Sequence, residues 1–278
     1  MYAGAGRLAP GGTVLRFIDA TRDPHLRLLS PALAETVGVA VAAGRAPETF
    51  CLRTQRPYVL LGPQDLRLPR VERGAAWLEG QGLPVYVRVG GGAAVLLDEG
   101  CLSFFGAVPC RDIARLDANF RELTLPVRQA CAALGAPVRF GRAAGSYCEG
   151  PQDLVTAQGR KLLGVAQALR QGYALVSGML LRTQDPVATT ALLQEFYRRS
   201  GSDRVLQAGA VTSLAREVGR AVSQERVVAE IVRQAALLGW DSEPTPLTSW
   251  ERDLGAQTLH ARRYPLRDLA RSRVVRSV

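Results

Sequence analysis

A cysteine and a lysine thirteen positions apart are the residues best suited to covalent chemistry in this 278-residue chain. Cys148 lies in Gly145-Ser-Tyr-Cys-Glu-Gly-Pro151, a loop bounded by glycine and proline, and Lys161 follows in Gly159-Arg-Lys-Leu-Leu-Gly164. All but one of the 35 basic residues are arginine, and Lys161 is that one. Guanidinium serves solubility, salt bridges and phosphate clamping as well as lysine does. It cannot lose a proton, and it is a planar fork where an ammonium is a compact charge with three rotatable donors. An ammonium near a thiol lowers the thiol's pKa and raises the thiolate fraction, the nucleophilic form. Cys148 and Lys161 are therefore the candidate catalytic pair. A coding bias toward arginine would also leave one lysine by chance. Its setting weighs against chance, because it opens an apolar run between two glycines, where backbone turns or comes close to something.

The remaining composition narrows the chemistry. Five cysteines, at 51, 101, 110, 131 and 148, make an odd set without C-x-x-C spacing, accompanied only by His25 and His260. That pattern argues against a zinc site or any other metal centre, against a disulfide framework, and against a histidine-based triad. Cys51, Cys101 and Cys131 have apolar neighbours and read as buried small hydrophobes. The formal net charge of +10 favours an acidic partner. With aromatics at 6% and no aromatic-studded basic strand, an acidic protein fits better than nucleic acid. Arginines cluster only at Arg262, Arg263, Arg267, Arg271, Arg273 and Arg276, as a solvated face or a docking surface. No apolar run reaches the length of a membrane span, and the first residues lack a basic region followed by a long apolar core. The expectation is a cytoplasmic protein with no membrane partner.

A protein of this length forms one large domain or one domain with a small appendage. The division expected is 1–240 as a catalytic domain and 241–278 as a helical, basic extension packing on it. Strands are expected at Thr13–Ile18, Thr49–Leu52, Tyr58–Leu61, Pro84–Arg88, Ala94–Leu97 and Cys101–Val108, the second and third as separate strands or a hairpin. Three more follow the cysteine loop, at Asp153–Ala157, Lys161–Leu169 and Tyr173–Leu181. Helices are expected at Pro31–Ala43, Arg70–Gln81, Ile113–Leu134 with a bend near Pro126, from Asp185-Pro186 to about Arg199, Ser223–Leu238 and Pro246–Arg263. The class is α+β, a mixed β-sheet flanked by helices with a helical C-terminal part.

Three segments, in order and at sensible spacing over about residues 45–185, resemble the lipoate/biotin protein ligase catalytic family. They are Arg56-Pro-Tyr-Val-Leu-Leu-Gly62-Pro-Gln64-Asp65, then Val87-Arg88-Val-Gly90-Gly91-Gly92-Ala-Ala-Val-Leu-Leu-Asp98-Glu-Gly100, then Asp153-Leu154 with Gly159-Arg-Lys161-Leu-Leu-Gly164-Val-Ala-Gln167. Within that family the likeness runs to the cysteine-dependent amidotransferases, which move octanoyl groups from the glycine-cleavage H protein to other lipoyl domains. Gly62-Pro-Gln-Asp-Leu-Arg-Leu-Pro69 and Gly145-Ser-Tyr-Cys148 carry that likeness, and Leu97 stands where ligases usually have histidine. Val87 stands where many members have a first arginine. The resemblance implies an acyl thioester on Cys148, activation by Lys161 and an acyl tunnel beside the glycine triplet. It implies substrate-binding roles for Gln64, Asp65, Arg88, Gly90, Gly91, Gly92, Asp98, Gly164 and Gln167. It also implies acidic lipoyl-domain partners, namely the glycine-cleavage H protein and the acyltransferase subunits of 2-oxoacid dehydrogenases. No cofactor is implied, since the octanoyl or lipoyl group is the substrate.

The residues allow plainer roles beside these. The triplet could be a simple tight hairpin; without a following G-K-[ST] helix it is no P-loop. Asp98 and Asp153 suit turn formers, Arg88 could cap a strand, and Gln167 could sit in solvent. The chemistry itself is coherent. Making a thioester from an amide is uphill, and burying an octanoyl tail contributes about 0.8 kcal/mol per CH2, roughly 5 kcal/mol in all. That helps only where it favours the thioester or its transition state over the bound donor. Three alternatives stay open: the same cysteine taking octanoyl from acyl carrier protein, an ATP-dependent lipoate ligase, and an inactive binder of lipoylated proteins.

Overall fold

The computed structural model describes residues 15–110, 113–170, 172–240 and 242–265. In chain order its elements begin with β1 (Leu15–Ala20), α1 (Pro24–Ala42), β2 (Thr49–Arg53), β3 (Tyr58–Leu61), α2 (Val71–Gly80), β4 (Val85–Val87), β5 (Val95–Leu97) and β6 (Cys101–Pro109). They continue with α3 (Leu116–Ala133), β7 (Arg139–Gly141), β8 (Asp153–Val155), β9 (Lys161–Arg170) and β10 (Tyr173–Leu181). The last third holds α4 (Pro186–Arg199), α5 (Leu214–Val218), α6 (Gln224–Leu237), β11 (Ser242–Pro244) and α7 (Ser249–Arg262). The α+β class with a mixed sheet holds. Among the described residues, no helix is long and apolar enough to cross a membrane.

Eight strands form one sheet in the order β11-β1-β2-β6-β10-β9-β8-β7, parallel from β11 to β2 and antiparallel from β2 onward. A second, three-stranded sheet has the order β4-β3-β5. The long central strands are buried on both faces, so their sequences are apolar without the polar alternation of a half-exposed strand. On β10, Tyr173 and Leu175 join the core under α1, whereas Ala174 and Val176 join the core under α3. The small sheet packs with α2, α4 and the ends of β6 and β10, where Cys101, Met179 and Leu181 meet it. The space between the two sheets holds the site.

Several expectations need correction. Helix α1 starts at Pro24, not Pro31: the Asp23 carboxylate accepts from the amides of His25 and Leu26 at 2.8 and 3.2 Å, and Pro24 takes the first turn. This is the same cap that Asp185 and Pro186 give α4, and Pro31 is carried inside the helix. Helix α3 carries Pro126 inside it, within the span expected for it. Of the two readings left open for β2 and β3, separate strands holds, since they belong to different sheets. Strands β7 and β11 and helix α5 span three to five residues, too short to show a period. Of the expected extension, β11 forms the sheet edge beside β1 and α7 packs on α1. Arg262 and Arg263 are not a solvated face: they pair with Glu35 and Glu79. Arg267, Arg271, Arg273 and Arg276 lie outside the described residues.

Candidate active site

Cys148 occupies the loop between β7 and β8 with a backbone φ of +47°, the one non-glycine residue at positive φ among those described. That conformation costs a non-glycine residue about 1–3 kcal/mol and persists only where the surroundings enforce it. Here they do. The Gln207 amide donates to the Gly145 carbonyl at 2.8 Å, the Glu149 carboxylate accepts from the Gly145 amide at 3.0 Å, and the Tyr147 hydroxyl donates to Gln184 Oε1 at 3.1 Å. The Cys148 sulfur accepts from Arg88 Nη2 and from the Ala93 amide, both at 3.3 Å. Burial pushes this thiol up, but the charges of Arg88 and Lys161 and the Ala93 amide outweigh it and hold its pKa below that of an ordinary cysteine. The contrast within the chain is sharp: burial pushes Cys51 and Cys131 up to about 12 and raises Cys101 as well. Cys148 is the thiol built to ionise.

Lys161 is the first residue of β9 and is 1% exposed. Its Nζ lies 3.0 Å from Asp153 Oδ2 and donates to the carbonyls of Cys148 at 2.7 Å and Tyr147 at 3.3 Å. Three acceptors surround three ammonium donors, a geometry a planar guanidinium cannot meet. A side chain on Gly164 would stand 3.1 Å from that Nζ, so glycine leaves the lysine its room. Asp153 is held by this pair, although burial still pulls its carboxyl above the usual range. Lys161 thus clamps the loop that carries Cys148 and adds its charge, while the hydrogen bonds to sulfur come from Arg88 and the Ala93 amide.

The glycine triplet divides by position. Side chains on Gly90 or Gly91 would meet open space. Gly92 has φ +98°, and a Cβ there would fall 2.6 Å from Arg88 Nη2 and 2.7 Å from the Cys148 sulfur. Gly62 is equally constrained, since a Cβ would overlap the Gly92 carbonyl at 1.9 Å. Arg88 is braced by the carbonyls of Gly91 at 2.9 Å and Ala93 at 2.5 Å. Asp65 is buried outside the cavity, where its carboxylate accepts from the Gly62 amide at 2.8 Å and the Tyr197 hydroxyl at 3.0 Å. Tyr197 Oη in turn accepts from the Ala94 amide and Arg204 Nη1, and Arg204 Nη2 reaches the Ser146 carbonyl. Tyr197 and Arg204 therefore tie the Gly62 turn, the Gly92 turn and the cysteine loop together. Nothing local in the sequence marks either residue.

Other expected residues fall elsewhere. Gln64 is exposed. Asp98 forms a turn, its carboxylate accepting from the Gly100 amide at 2.9 Å. Gln167 donates to the Leu116 carbonyl at 2.9 Å and lines a neighbouring cavity. Cys148, Lys161 and Asp153 line one cavity together with Leu60, Val95 and Leu97 of the small sheet.

Residues 29–236 match the model of the lipoyl protein ligase A/B catalytic domain. The chain belongs to that family. It is 33% identical over 207 residues to the octanoyl-[GcvH]:protein N-octanoyltransferase of Kyrpidia tusciae, covering 70% of this chain and 71% of that protein. It is 32% identical over 192 residues to the lipoyl-[GcvH]:protein N-lipoyltransferase of Listeria monocytogenes, covering 68% of each. The fold is that of lipoate-protein ligase A in its crystal structure with ATP, with a TM-score of 0.66 at 20% identity over 88% of this chain and 93% of that one. In this family member a thiol whose pKa lies below that of an ordinary cysteine accepts from two hydrogen-bond donors and lines a largely apolar cavity, an arrangement suited to acyl transfer.

Proposed function

We propose that the chain is a protein N-acyltransferase. It takes an octanoyl or lipoyl group from the modified lysine of a glycine-cleavage H protein and passes it to lysines of lipoyl domains through a thioester on Cys148. The observation that carries this reading is the Cys148 sulfur accepting from Arg88 and Ala93 beside the cavity that Cys148 and Lys161 both line. The names of the relatives in Kyrpidia and Listeria support the donor. The thiolate attacks the amide carbonyl, the C–N bond breaks, and the donor lysine leaves as an amine after gaining a proton. The acceptor lysine then attacks the thioester, gives up a proton and releases the thiolate, so protons balance over the cycle. No ATP enters. In the tetrahedral states the Ala93 amide and Arg88 guanidinium are the donors within reach of negative charge on oxygen, a role worth about 2.7–4 kcal/mol per donor in other acyl-transfer enzymes. A reducing cytoplasm would keep the thiol available.

The test is intact-mass analysis of the full chain incubated with octanoylated H protein, without ATP. Wild type should gain one octanoyl group, Cys148→Ala none, and an unmodified lipoyl domain should discharge it. No adduct from H protein but one from octanoyl-acyl carrier protein would overturn the donor. Acylation of a lipoyl domain that needs free acid and ATP and survives Cys148→Ala would make the chain a ligase.

A further inference from the structure

The cavity that starts at Cys148 reaches a buried charge. Across the large sheet, Gly164 of β9 pairs with Met179 of β10, Met179 with Ser103 of β6, and Ser103 with Arg53 of β2. Paired residues share a sheet face, and all four line the cavity. The row therefore crosses three strand spacings, about 14 Å, from the residue beside the Lys161 ammonium to Arg53.

Arg53 is 6% exposed. Its Nη1 donates to the Ser30 carbonyl and its guanidinium lies over the Phe105 ring, yet Nε has no partner. Among the described residues Arg53 makes no ion pair and Nη2 makes no hydrogen bond. The other two buried arginines there, Arg16 and Arg262, each face a carboxylate, Glu251 and Glu35. Ser177 lines the same cavity, and its hydroxyl also lacks a hydrogen bond among the described residues. A buried guanidinium that leaves donors unpaired is costly, and a site with unpaired donors discriminates strongly against a ligand that leaves them unpaired.

We infer that the bound acyl group supplies the acceptor: the site takes a chain of octanoyl length that carries sulfur or oxygen at its far end, and so selects lipoyl over octanoyl. This rests on the reading of the cavity as the acyl site. The dithiolane of a lipoyl group carries two polarisable sulfurs, which are weak acceptors, on far carbons of the chain where a plain octanoyl group carries only hydrogen.

Neutral amides test this without any donor protein. The full chain is treated with iodoacetamide in the presence of the N-methyl amides of octanoic, 8-hydroxyoctanoic and lipoic acids, and alkylation of the Cys148 peptide is followed by mass spectrometry. The hydroxyl and lipoyl amides should half-protect Cys148 at concentrations about tenfold below the octanoyl amide. In Arg53→Met the octanoyl amide should become at least their equal. Protection by the octanoyl amide at equal or lower concentration in wild type, or an unchanged order in Arg53→Met, overturns the inference and leaves the acyl site standing. If the variant does not fold, the wild-type order decides alone. Failure of every amide to protect overturns the acyl site as well.

Discussion

The reactivity of Cys148 is set by neighbours that act through two hydrogen bonds and two nearby charges. Arg88 is the nearest of these charges, so Arg88→Gln should move the pH midpoint of Cys148 alkylation upward and slow alkylation at pH 7 by about tenfold, the effect of one pKa unit. The sign follows from the lowered thiol: wild-type reactivity persists as pH falls until it passes through that lowered value, whereas the variant loses it at higher pH. Iodoacetamide rates against pH measure this, and an unshifted profile would mean that Lys161 and the Ala93 amide suffice. The glycine triplet offers a second residue-scale check. Gly92→Ala would push a methyl into Arg88 and the sulfur at a positive φ, and should reduce acyl transfer by about a hundredfold or more. Gly90→Ala and Gly91→Ala, which meet open space, should stay within about threefold; equal losses at all three would refute a steric role specific to Gly92.

At the scale of elements, the site is a meeting of turns held by one helix. Tyr197 on α4 joins Asp65, Ala94 and Arg204, although its own core contacts are with the small sheet and α2. Tyr197→Phe keeps the ring and removes the hydroxyl, leaving a buried carboxylate and an amide short of a partner. It should cost about 1–3 kcal/mol in denaturant unfolding and slow Cys148 alkylation by loosening the Gly92 turn. Loss of stability with unchanged alkylation would show that the turn is held by Asp65 and Gly62 alone. Where the start of α1 departed from expectation, the local signals were balanced and packing decided. Asp23-Pro24 is as good a helix start as Asp185-Pro186, but the prolines at 24 and 31 both fit a first turn, and packing on β6 and β10 selected the longer helix.

For the whole molecule, the last strand and helix are fastened by a buried pair. Arg16 of β1 meets Glu251 of α7 at 2.8 Å, both nearly inaccessible. Burial pushes Glu251 up, but Arg16 and Thr248 more than offset it and hold its pKa below the usual carboxylate range. Its stabilisation is therefore complete above the ordinary glutamate value and disappears as pH falls through the lowered native one. Glu251→Gln strands a buried guanidinium and should cost about 3–5 kcal/mol at pH 7. Thermal melts should show that difference constant above about pH 5 and shrinking in more acid solution; a pH-independent gap would assign the loss to the Thr248 cap instead. The sequence by itself determined the candidate pair Cys148 and Lys161, most strands, most helices and the family, because periodicity and short motifs are encoded within a few residues. Only the tertiary structure decided that Arg88, 60 residues away, donates to the sulfur. It also decided that Tyr197, 132 residues from Asp65, binds its carboxylate, and that Arg53 lines the cavity that begins at Cys148. Those contacts follow from strand register and from the packing of one sheet on another, which no local spacing records.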